Sequence, residues 1–142
     1  MIFIHERVIY MFIKVFIISI IVFFVIDIIW LGLIANNLYK EEMGHLLSAK
    51  VNWVAGILLY IIFVVVLSVL VIIPGIEKES LRTVIIMGAL FGLASYATYD
   101  LTNYATLKGF PLKIVIIDMM WGTFIGLTTS TLTYLIYKVI FK

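Results

Sequence analysis

Residues 11–35 read MFIKVFIISIIVFFVIDIIWLGLIA, a stretch in which only Lys14 and Asp27 carry charge. A helix rises about 1.5 Å per residue and the bilayer hydrocarbon is about 30 Å thick, so a spanning helix needs about 20 apolar residues. This stretch exceeds that, and it is too long for the apolar core of a signal peptide. Asn36-Asn37 follows it with no small-x-small cleavage pattern, so it reads as a retained helix. Three further runs have the same character, at 51–73, 81–106 and 112–141. The fold class is therefore all-α, a polytopic bundle of four transmembrane helices. An even number of crossings puts both termini on one side, and no linker is long enough to divide residues 1–142 into two domains.

Composition points the same way. The chain has 142 residues, 65% of them hydrophobic and 13% charged, where soluble domains carry about a quarter charged. A chain this short has too little interior to hide that much apolar surface from water. Cysteine is absent, which excludes disulfides, thiol nucleophiles and thiolate metal ligation. Basic residues are scattered singly around a net charge of +2, so no nucleic-acid surface is expected. The residues name no cofactor, and any metal would need Asp, Glu, His or carbonyl ligands.

The connections carry the punctuation. Asn36 to Lys50 is the longest, with Lys40, Glu41, Glu42 and His45, and Gly44 in it can cap a short surface helix. Pro74-Gly75 is expected to end the second helix, and Lys108-Gly109-Phe110-Pro111 turns the chain into the fourth. The terminus side holds Arg7, Lys14, Lys78, Arg82, Lys138 and Lys142, and the opposite side Lys40, Lys50, Lys108 and Lys113. Six against four favours cytoplasmic termini under the positive-inside rule, and so small an excess also leaves dual insertion open.

Three carboxylates lie inside the apolar runs, Asp27, Asp100 and Asp118. Each costs about 2.5–3.5 kcal/mol on insertion scales, so each needs a reason. Antiparallel neighbours bring all three toward the face bearing the 36–50 and 108–111 connections. Eight residues lie between Asp27 and Asn36 and seven between Asp100 and Lys108, which sets both acids about 12 Å inside. Tyr96, Asp100 and Asn103 follow i, i+4, i+7 on one helix face, flanked by Tyr99 and Thr102, and Asn52 and Trp53 open the second helix at the same end. Two segments echo each other, Asp27-Ile28-Ile29-Trp30 and Asp118-Met119-Met120-Trp121. In each, the indole stands almost one turn after the carboxylate and can neighbour it. Gly88 with Gly92, and Gly122 with Gly126, mark where the third and fourth helices approach closely.

Simpler readings compete with a site. The acids can be hydrogen-bonded clasps to Tyr, Asn, Trp or a loop lysine. Trp53 reads as an interfacial anchor, His45 as a solvated loop residue, and the Thr128 to Thr133 run as packing and back-bonding hydroxyls. The second helix, apolar nearly all round, reads as lipid-facing. No Walker loop, HExxH, GxSxG or dinucleotide fingerprint is present.

The run Tyr96 to Pro111, with Asp118 to Gly122 after it and Asp27 to Gly32 before it, resembles a family of small bacterial membrane proteins of unknown function. Gly44-His45-Leu46-Leu47 and Val51-Asn52-Trp53 are similar to the same pattern, and Phe110 stands where Trp is usual. The resemblance covers nearly the whole chain. It implies four spans, a bacterial origin and no established activity, with a leaning toward membrane lipid.

The expectation is thus a membrane site that binds or processes a lipid-like or small amphipathic molecule. Its candidate ligand-binding residues are Asp27, Trp30, Asn52, Tyr96, Tyr99, Asp100, Asn103, Asp118 and Trp121. Asp100 would be the central acid, oriented by Asn103, Tyr96 and Tyr99, and a divalent cation would suit three ionised carboxylates. The rivals are a proton-coupled transporter working as a homodimer, because four helices rarely enclose a polar pathway, and a structural subunit. Membrane lipid is the expected partner, and the residues leave open whether turnover occurs.

Overall fold

Pro74 does not end the second span, which continues as helix to Glu77. The computed structural model describes residues 2–141, with side chains from residue 6 onward; Lys142, counted above on the terminus side, lies outside the described residues. Its elements are α1 (Ile2–Ile29), a π-helical segment (Trp30–Ala35), α2 (Asn36–Met43), α3 (Trp53–Leu67), a second π-helical segment (Ser68–Ile72), α4 (Ile73–Glu77), α5 (Leu81–Thr106) and α6 (Leu112–Phe141). There is no strand among the described residues. Four continuous helical stretches are long and apolar enough to cross a membrane, Glu6–Met43, Trp53–Glu77, Leu81–Thr106 and Leu112–Phe141. The molecule is a four-span helical membrane bundle.

Two boundaries differ from the sequence expectation, and both differ at a π segment. The first helix was expected to stop at Ala35 but runs on through α2 to Met43. The second was expected to stop before Pro74 but continues to Glu77. Proline lacks an N–H and crowds the preceding turn. The π segment relieves this one turn upstream: Ile73 N–H bonds to the Ser68 carbonyl, five residues back, and the wider turn absorbs the misfit. The first π segment inserts a residue into the turn, so everything after it rotates by about 100°. That rotation turns Leu38, Tyr39 and Met43 of α2 onto Phe110, Ile114 and Val115.

Caps set the remaining ends. Asn52 accepts from Ala55 N–H at 3.2 Å to start α3, and Ser80 accepts from Thr83 N–H at 3.2 Å to start α5. Gly109 adopts φ +78° in the turn before α6, a conformation that suits a residue without Cβ. Lys113 closes the loop side by pairing with Glu42 at 2.6 Å rather than reaching an intramembrane acid.

The spaced glycines bring α5 and α6 into backbone contact. A Cβ on Gly92 would overlap the Gly122 carbonyl oxygen, and one on Gly126 would overlap the Gly88 carbonyl oxygen. α1 packs on the other side of α6, burying Val15, Ser19, Phe23 and Asp27 at intervals of four. The second span is not simply lipid-facing. Its outer face is exposed at Val54, Ile57, Leu58 and Leu70, while Phe63, Val64, Leu67, Ser68, Val71 and Ile72 lie in the core. Hydropathy alone could not separate these faces, because both are apolar.

Candidate functional site

Antiparallel packing of α1 on α6 determines what the two Asp-x-x-Trp segments can do. Three residues along a helix is about 4.5 Å. On helices running in opposite directions, the Trp of one segment therefore comes level with the Asp of the other. The indoles of Trp30 and Trp121 stack between them, centroids 4.3 Å apart and planes at 9°. Trp30 Nε1 donates to Tyr39 Oη at 3.4 Å, and Tyr39 Oη donates to Asp118 Oδ1 at 2.5 Å. Trp121 in turn approaches Asp27, with its buried Nε1 short of a completed hydrogen bond. Each indole thus serves the opposite carboxylate, not the one three residues before it, as the sequence reading had it.

Each of these carboxylates also holds a tyrosine from a third element. Tyr60 of α3 donates to Asp27 Oδ2 through a short hydrogen bond. Tyr39 of α2 does the same for Asp118. Neither tyrosine was singled out from sequence. Tyr60 interrupts an otherwise apolar helix, which was a usable signal. Tyr39 sits in a stretch that reads as a polar connection and faces inward only because of the preceding π segment.

Asp100 differs from both. It follows Gly88, Gly92 and Tyr96 at steps of four on the α5 face turned toward α6. It is 0% exposed, and neither carboxyl oxygen has a hydrogen-bond partner. Its electrostatic neighbours are Asp118, Tyr96 and Tyr99. A bare carboxylate in such surroundings costs several kcal/mol unless it carries a proton or meets a donor or cation.

A cavity of about 210 Å³ opens beside this group, lined by Phe23, Leu59, Tyr60, Phe63, Ser95, Tyr96, Tyr99 and Asp118. Leu59 and Tyr99 on its rim are 61% and 58% exposed on the outer surface of the bundle, so the opening faces where lipid would lie. At about 210 Å³ it falls below the usual 300–1,000 Å³ of small-molecule sites.

Of the nine residues expected at the site, Asp27, Trp30, Tyr96, Asp118 and Trp121 converge, with Asp100 beside Asp118 and Tyr99 at the rim. Tyr96 lies across Gly122, where a Cβ would overlap its ring, and is electrostatically close to all three acids. Asn103 is half-buried one turn beyond Tyr99, near the end of α5. Asn52 stands apart, because its side chain is occupied in capping α3. No group of three acids or histidines arranged to hold a metal ion occurs among the described residues.

Residues 12–135 match the model of a protein family described as a predicted membrane protein (DUF2177). No curated protein and no solved structure matches the chain.

Proposed function

The chain belongs to this DUF2177 family of predicted membrane proteins, and from that premise we propose that its loop-side polar layer binds a small amphipathic or lipid-like molecule entering from the bilayer. The observation that carries this reading is Asp100, a wholly buried acid without a protein partner, whose electrostatic neighbours Asp118, Tyr96 and Tyr99 line a cavity that opens sideways. The apolar part of the ligand lies against Phe23, Leu59 and Phe63. A cationic or hydrogen-bond-donating head meets Asp118 and, past Tyr96, Asp100. Two carboxylates with no basic side chain near them select against anionic heads by repulsion. Asp27 and Asp118 are held by tyrosines and serve chiefly to fix the walls of the site. The termini face the cytoplasm of a bacterial inner membrane in this reading, following the lysine and arginine count.

The test is whole-cell lipid mass spectrometry on a deletion strain complemented with wild type or Asp100→Asn. A lipid species lost in the deletion and restored by wild type but not by Asp100→Asn is the expected result. A lipid profile identical in all strains overturns the lipid assignment.

A further inference from the structure

Starting from the mutual neighbours Asp27, Tyr60 and Trp121, steps of four residues toward the terminus side mark successive layers through α1, the second span and α6. The first step reaches Phe23, Val64 and Ile125, which are 2%, 0% and 0% exposed. Phe63 closes over them, its ring centroid 5.0 Å from that of Phe23. The second step reaches Ser19, Ser68 and Thr129, all 0% exposed. The third brings Thr133, also 0% exposed, alongside Val15 and Ile72. One turn further, Met11 and Tyr137 line a cleft of about 1040 Å³ that also carries Glu6, Arg7, Lys14 and Glu77.

The hydroxyls of Ser19, Ser68, Thr129 and Thr133 have no hydrogen-bond partner, and neither has that of the half-buried Thr131. This is not a general habit of helical hydroxyls here. Ser95, Thr98, Thr106, Thr123 and Ser130 each donate to the carbonyl four residues back, at 2.7–2.8 Å. The four core hydroxyls forgo that bond. A buried hydroxyl left unpaired costs about 1–3 kcal/mol, and several in adjoining layers supply the two to four polar partners that an internal water needs.

We infer that Ser19, Ser68, Thr129 and Thr133 hold internal water, forming a second polar chamber two helical turns from the Asp27 layer and sealed from it by Phe23, Val64 and Ile125. The chamber leads through Thr133 toward the terminus-side cleft. The polar interior of the bundle is then interrupted at a single apolar layer.

The natural chain has no cysteine, so single thiols report without background. The cysteine thiolate attacks the thiosulfonate sulfur of a methanethiosulfonate, forming a mixed disulfide and releasing methanesulfinate, and that thiolate forms only where water reaches. In the full chain in lipid nanodiscs, Ser68→Cys and Thr129→Cys are compared with Val64→Cys, one turn away and equally buried. Modification by methyl methanethiosulfonate at least about tenfold faster in the hydroxyl layer than at Val64 is the expected result. Equal rates, whether both slow or both fast, overturn the inference. Ser19→Cys on α1 replaces either position should that variant fail to elute as folded protein. The outcome does not depend on whether Asp100 binds a ligand.

Discussion

Asp27 and Asp118 lie in one arrangement and Asp100 in another, although all three are acids at similar depth in apolar helices. The first two belong to a crossed assembly in which stacked indoles and two tyrosines from α2 and α3 surround the carboxylates. The third has the glycine face of α5 behind it and no donor in front. The lesson is that burial alone does not distinguish a clasp from a binding group. The hydrogen-bond partners do. A structural role accounts for Asp27 and Asp118, and leaves Asp100 unexplained unless something else meets it.

The sharpest way to break this contrast is to remove the donors. Tyr39→Phe and Tyr60→Phe each leave a buried carboxylate without its hydroxyl, and each is expected to lower stability by about 1–3 kcal/mol. Thermal unfolding in detergent micelles reads the loss. Trp30→Leu removes the indole stack and is expected to cost about 0.5–1.5 kcal/mol beyond lost area. Because Trp30 also supports Tyr39, the Trp30→Leu and Tyr39→Phe losses should fall short of additive in a double-mutant cycle. Asn52→Ala is expected to cost about 1 kcal/mol through the lost cap, with no effect on the polar layer, as judged by unchanged retention of copurifying ligand. Asp100→Asn closes the series, with stability equal to or above wild type, because no protein hydrogen bond is lost and a neutral amide replaces a buried acid.

Much of this was legible in the sequence. Four apolar runs determined the spans, the spaced glycines of 88/92 and 122/126 identified the α5–α6 contact, and the echo of Asp27-x-x-Trp30 in Asp118-x-x-Trp121 pointed to a related pair of environments. The crossing of that pair was not legible, because it depends on the axial register of two antiparallel helices. Tyr39 was hidden behind a π segment whose rotation has no clear residue signature. The inner face of the second span was hidden because its core and lipid sides are both made of Val, Ile, Leu and Phe, and only packing tells them apart. Asn52, which caps α3, was grouped with the layer because a cap and a site residue look alike at a helix start.

Native mass spectrometry of the protein extracted in its own lipid, comparing wild type, Asp100→Asn and Tyr39→Phe, tests the division between clasp and binding group most directly. The account predicts a retained small-molecule adduct on wild type, its loss from a fully stable Asp100→Asn, and its partial retention on a destabilised Tyr39→Phe. An adduct held equally by wild type and Asp100→Asn, or an Asp100→Asn protein destabilised as much as Tyr39→Phe, would contradict it by making Asp100 one more structural clasp.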